Sequence, residues 1–215
     1  MEKKKRPRKL TVFAMVEGNR EQAFIDFLIE IYQPQLHGIK FSPENSKGGG
    51  ADSIVLPALR ESHRDKSFVW LDEDFEPDTS PLSAAVRKQL AKCWNITDEK
   101  IKSEFMKCHL GELQAKFNLG NKKKPTLIVS KPVCSESVIL KILGVDLPYG
   151  VYDPKQRPKQ IATLKNKLDK IMGGEKTVKE QTAYYLQNLT KAKLEVKRKT
   201  IPELDLLISM LVKNK

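Results

Sequence analysis

Apolar and polar positions along this chain fall into blocks whose period changes. Residues 10–16 (Leu-Thr-Val-Phe-Ala-Met-Val) form an almost continuous apolar run, the pattern of a strand buried on both faces. Glu17-Gly18 ends it. Asn19 reads as a helix N-cap, with Gln22 in the capping-box position. Ala23, Phe24, Phe27, Leu28 and Ile31 then recur at helical spacing and make one apolar stripe, which Pro34 stops. Residues 39–42 predict a short strand, and Ser46-Lys47-Gly48-Gly49-Gly50 a loop. Asp52 or Ser53 opens a helix over 52–64.

The alternation continues. Residues 67–71 predict a strand ending at Asp72, and Leu82, Val86 and Leu90 mark a helix over 80–93. Residues 97–119 read as helical, and 121–125 as a basic turn. Residues 126–129 (Thr-Leu-Ile-Val) are a further buried strand, ended by Ser130-Lys131-Pro132 and followed by a helix with Val138, Ile139, Ile142 and Leu143. This order predicts an α/β fold: a doubly wound, mostly parallel sheet of about four strands with helices on both faces. Its crossovers should be right-handed. Pro148, Gly150, Pro154 and Pro158 mark a boundary near 145–158, beyond which the pattern is helical only, over 158–172, 177–190 and 201–213. The expected organisation is a basic tail (1–9), an α/β domain (10–150) and a basic helical C-terminal extension (151–215).

Composition narrows the class. With 215 residues and 40% apolar content the chain can bury one substantial core, or one core and a small appended subdomain. No apolar run approaches the ~18 residues that span a bilayer. The run after the basic N-terminus reaches Glu17 without a secretory cleavage pattern, so the expected location is cytoplasmic and no membrane partner is expected. Cys93, Cys108 and Cys134 lack CxxC spacing, and His37, His63 and His109 lack partners at i+3 or i+4, so neither a disulfide framework nor a zinc site follows.

The formal charge of +12 is unevenly spread. Residues 1–9 carry six Lys/Arg and one acid; 151–215 carry fifteen against seven; 10–150 carry eighteen against nineteen. Two basic segments thus flank a nearly neutral body, which suits a polyanionic partner, nucleic acid first. The competing reading is that Lys-rich helices are simply solvated faces. Tyr184-Tyr185 on such a helix suits base stacking or, more simply, packing between helices.

Against that charge stands Asp72-Glu73-Asp74-Phe75-Glu76-Pro77-Asp78, five carboxylates in seven residues after a buried strand. Two carboxylates about 5 Å apart repel by roughly 3 kcal/mol at an effective dielectric near 20, so such a cluster calls for a cation. All-oxygen donors suit Mg²⁺ or Mn²⁺. In extended backbone Asp72 and Asp74 point the same way and Glu73 the other. Ligands of open parallel sheets bind beyond the strands' carboxyl ends. There the sequence places Glu17 with Gly18, then Asp72 and Asp74, then Lys131 with Glu136 a turn into the next helix. Glu17 and Glu136 also read as first-turn acids favoured by the helix dipole. Lys47-Gly48-Gly49-Gly50 lacks the spacing of an ATP-binding P-loop.

A strand ending in Glu17-Gly18 and a later one ending in Asp72-x-Asp74 resemble the Toprim domain of type II topoisomerases, bacterial primases and OLD-type nucleases. The chain length, the Gly-rich loop and the segment Ser130-x-Pro132…Glu136 are most similar to small RloB-like Toprim proteins. The resemblance covers roughly residues 8–145. It implies a metal-dependent nuclease of DNA or RNA in bacterial or phage defence. Glu17 would be general acid/base or ligand, Asp72 and Asp74 would hold Mg²⁺ or Mn²⁺ with Glu136 as a further candidate, and Lys131 would neutralise transition-state charge. A separate ATPase subunit is an implied partner, and a homo-oligomer is compatible. Two other readings stay open: a non-catalytic nucleic-acid- or partner-binding module on the same fold, and a receiver-like phosphoacceptor.

Overall fold

The computed structural model describes residues 9–36, 38–47, 51–61, 63–73, 88, 91–92, 95–109, 114–116, 125–174 and 177–212. The fold is α/β. Strands β1 (Leu10–Val16), β2 (Ile39–Asn45), β3 (Lys66–Asp72), β4 (Gln114–Lys116) and β5 (Pro125–Ser130) form one sheet in the order β2-β1-β3-β5-β4. The four longer strands are parallel, as the alternating pattern predicts. β2 runs further than expected, through Pro43. It is an edge strand, where a missing N–H costs no ladder bond.

The region 97–119 corrects the expectation. Its helix, α3 (Asp98–His109), ends early, and β4 pairs antiparallel with β5, Ala115 opposite Leu127. Covering the open edge of β5 outweighs the local helical preference. The helix expected over 80–93 lies outside the described residues except 88, 91 and 92, which are helical.

Side-chain alternation sorts the sheet into two faces. Val12, Ala14, Val16, Phe68, Trp70 and Ile128 enter one core, packed against α1 (Asn19–Tyr32) and α4 (Ser135–Leu143). Phe13, Met15, Val69, Leu71, Leu127 and Val129 enter the other, against α2 (Ala51–Arg60) and Ile101 of α3. Runs apolar on both faces are what a doubly covered parallel sheet demands.

The C-terminal segment is a layer of the fold rather than an appendage. It holds α5 (Arg157–Ile171), α6 (Val178–Asn188), α7 (Lys191–Lys197) and α8 (Pro202–Leu211). α7 stands where the periodicity gave no element; Thr190 caps it by accepting from the Lys193 N–H. Leu164, Leu168, Tyr185, Leu204, Leu207 and Ile208 share one core with Phe24 and Trp70. Tyr185 meets Phe24 edge-on at 5.4 Å between centroids, so its role is packing. Thr182 donates to the Ala23 carbonyl, Tyr32 to the Glu195 carboxylate, and the Lys66 ammonium to the carbonyls of Ser209 and Val212. Among the described residues no helix is long and apolar enough to cross a membrane.

Candidate active site

β1 leads to β2 on one side and, by way of α2, β2 leads back to β3 on the other. The sheet therefore reverses its winding between β1 and β3. That crevice, at the carboxyl ends of the strands, is where doubly wound sheets bind ligands. Here it holds a cleft of about 980 Å³. Glu17, Glu21, Asp72 and Glu136 line it with Arg20, Lys47, Lys165 and Asp169. Of the residues singled out from sequence, Glu17, Asp72 and Glu136 thus line one cleft. Asp74 lies outside the described residues.

Each carboxylate is placed by a specific local cause. β1 pairs with β3 up to Val16 opposite Trp70, so both chains leave the sheet side by side at Glu17 and Asp72. Asp72 alternates with Phe68 and Trp70 and so faces α1 and α4. It is buried, and its Oδ1 accepts the Ser135 N–H at the start of α4, 2.7 Å away. The N-cap of α1 is Gly18, one residue earlier than expected, and its N–H donates to Glu21 Oε2 at 3.0 Å. Gly18 is in ordinary extended backbone (φ −144°), so conformational freedom does not explain the glycine. A Cβ there would stand 3.2 Å from Glu21 Oε2, so an added side chain would press on the carboxylate that the Gly18 N–H holds. Asn19, expected as the cap, is the first helical residue and accepts from the Asn45 side chain.

Glu21 and Glu136 sit in the first turns of α1 and α4, where helix dipoles favour negative charge. Ser135 Oγ donates to Glu21 Oε1. Burial pushes the Glu21 carboxyl upward, and the neighbouring Glu136 adds to that. Glu136, with a side chain only 3% exposed, accepts from Arg20 Nη1 at 2.6 Å. The other arm of Arg20 reaches Asp169 of α5 at 2.6 Å. Burial disfavours the Arg20 charge, but Glu136 and Asp169 outweigh it and its pKa is raised. Burial likewise opposes the Lys165 charge, and Glu136 and Asp72 more than restore it. Burial, then Glu136 and Asp72, push the Cys134 thiol far up, so this buried cysteine is an inert neighbour and not a thiolate.

Glu73 and Lys131 have a different task. Glu73 Oε2 accepts the Val133 N–H at 3.0 Å, and its own N–H donates to the Val133 carbonyl at 3.0 Å. Its Oε1 faces the Lys131 ammonium at 3.4 Å. Lys131 is therefore not among the described residues lining the cleft; it belongs to the clasp that shapes the β5–α4 loop. Val133 has φ +74°, an outlier for a β-branched residue, and the clasp over-determines it. Because this loop delivers Ser135 and Glu136, Glu73→Ala should lower stability by about 2 kcal/mol. Thermal denaturation checks this; an unchanged melting temperature would show the clasp to be incidental.

Sequence reasoning missed Arg20, Glu21, Ser135, Lys165 and Asp169. Glu21 lies three residues after Gly18, so reading Gly18 as the cap would have found it. Lys165 and Asp169 follow the buried Leu164 and Leu168 by one residue each, a placement that only tertiary packing turns toward the cleft.

The carboxylates are oxygen donors of the kind hard divalent cations take. Yet among the described residues no three His, Cys, Asp or Glu side chains are grouped closely enough to hold an ion. The hydrogen bonds explain this: Glu136 is turned to Arg20, and Glu21 to Ser135 and the Gly18 N–H. Compared with known proteins, the chain matches no family model, no curated protein and no solved structure.

Proposed function

We propose that this protein is a Toprim-type nuclease that hydrolyses phosphodiesters of DNA or RNA with Mg²⁺ or Mn²⁺. The observation that carries the reading is that Glu17, Asp72 and Glu136 line one cleft at the switch point together with Arg20, Lys47 and Lys165. Acids and cations lining one cleft suit a phosphate backbone approaching a bound cation. Glu17 and Asp72, with Asp74 of the same run, would hold the ion, which when bound supplies Lewis acidity toward a phosphoryl oxygen. Glu17 would also take the proton of an attacking water. The charge-neutralising role expected of Lys131 falls to Arg20 and Lys165, whose charged groups face the cleft. Cytoplasmic defence, with a separate ATPase as partner, is the setting that the Toprim resemblance suggests.

The test is incubation of the purified protein with single- and double-stranded DNA and with RNA in Mg²⁺, Mn²⁺ or EDTA. Cleavage that needs the metal supports the enzyme. A second reading draws on the Arg20–Glu136 pair, which already neutralises part of the cluster: a binding module on the same fold. Binding that persists in EDTA, with no cutting in either metal, would favour the module.

Under either reading Lys165 should contact phosphate. Lys165→Gln should weaken binding of all sequences alike and reduce the slope of log K against log salt by about one. An unchanged slope in titrations at several salt concentrations would remove Lys165 from the interface.

A further inference from the structure

The Arg20 guanidinium occupies an unusual position. It donates at 2.6 Å to Glu136, which is almost fully buried, and at 2.6 Å to Asp169 of α5. Both line the cleft, but Glu136 is buried whereas Asp169 is half exposed. Arg20 thus spans from the acids of the sheet to the C-terminal layer. Removing one partner of a buried ion pair leaves an uncompensated charge, so an ionised Glu136 calls for a cation beside it. In the described arrangement that cation is Arg20, and the carboxylates are correspondingly not gathered as a cage.

We infer that Arg20 is a resident placeholder cation that competes with a divalent ion for Glu136, so that metal uptake and the Arg20–Glu136 pair are alternative states of one cleft. The inference rests on the nuclease reading, because it takes that reading's metal as the competitor. Two cations that share one carboxylate must weaken each other, and the coupling is reciprocal. Asp169 gives the displaced guanidinium somewhere to stay. Held by its second arm, Arg20 remains at the cleft mouth, positively charged, when Glu136 turns inward. Arg20 is on this view a positioning residue that sets the metal affinity, and Asp169 is its tether.

The experiment measures Mn²⁺ alone, by calorimetry and by the electron paramagnetic resonance signal of free Mn²⁺, on the full chain without nucleic acid. Arg20→Gln keeps a hydrogen-bond donor but removes the charge. It should bind Mn²⁺ about tenfold more tightly than the parent protein. Arg20→Lys, which restores the charge, should return the affinity toward the parent value. Without metal, Arg20→Gln should melt lower than the parent protein, and Mn²⁺ should raise its melting temperature by more than it raises the parent's. A folded Arg20→Gln protein that binds Mn²⁺ equally or less tightly overturns the placeholder role and leaves the nuclease reading standing. Absence of Mn²⁺ binding by parent and variants alike at millimolar metal overturns the metal reading and the inference with it. Should Arg20→Gln fail to fold, Asp169→Asn decides. It leaves Glu17, Asp72 and Glu136 in place but takes away the resting place of the displaced guanidinium, so Mn²⁺ binding should weaken several-fold, and equal or tighter affinity there overturns the inference.

Discussion

Asp72→Asn should abolish metal-dependent cleavage of nucleic acid while leaving the protein folded. The substitution isolates charge from shape. Asp72 is buried at the end of β3 and its Oδ1 accepts the Ser135 N–H at 2.7 Å. An asparagine in the same rotamer presents a carbonyl oxygen to that N–H, so the start of α4 stays anchored. What disappears is one negative charge at the centre of the cleft. A ligating carboxylate supports several kcal/mol of transition-state stabilisation through its ion, and a loss of about 3 kcal/mol already lowers the rate roughly 10²-fold. The measurement is the initial cleavage rate in Mg²⁺ and in Mn²⁺, paired with a melting curve. A variant that melts like the parent and still cuts at the parent rate would remove Asp72 from the chemistry. Asp72→Ala is the poorer test, because it also orphans the Ser135 N–H and mixes a folding loss with a catalytic one.

What could be read from sequence, and what could not, follows from the range of the forces involved. The strands read at residues 10–16, 67–71 and 126–129, each within one residue of its observed ends, were legible because a doubly covered parallel strand must be apolar on both faces. Once these were ordered, Glu17 and Asp72 had to fall at neighbouring strand ends. β4 was not legible: its three residues are Gln114, Ala115 and Lys116, and only the unpaired edge of β5 makes them a strand. Arg20 and Asp169 were not legible either, because their joint significance depends on α5 lining the cleft, with Asp169 149 residues from Arg20 in the chain. Glu73 shows the converse. Alternation separates it from Asp72, as expected, but only the fold reveals that it clasps the β5–α4 loop. Positions governed by local periodicity are visible early. Positions governed by a long-range partner become visible only with the packing.

Deleting residues 158–215 should unfold the protein rather than merely weaken its grip on nucleic acid. The deletion removes eleven buried apolar residues, from Leu164 to Leu211, that belong to the core under α1 and the sheet. Each such side chain contributes about 1.5–3 kcal/mol when buried, so losing even half of them matches the entire ~5–15 kcal/mol stability of a typical domain. The loss is compounded on the other side of the interface. Phe24, Phe27 and Trp70, all fully buried, lose Tyr185 or its neighbours as cover. Lys66 loses its two carbonyl acceptors, and Tyr32 its carboxylate partner. Far-UV circular dichroism and gel filtration of residues 1–157 check this. The expected result is an expanded or aggregated chain without a cooperative melt, and a monomeric, cooperatively melting fragment would show that the C-terminal helices are dispensable cover. The same reasoning sets how the basic C-terminal charge must be probed. Since α5 to α8 hold the sheet, a role of their charge in binding nucleic acid can be tested apart from folding only by exchanging exposed cations such as Lys165 one at a time, with the buried stripe of Leu164 and Leu168 left intact.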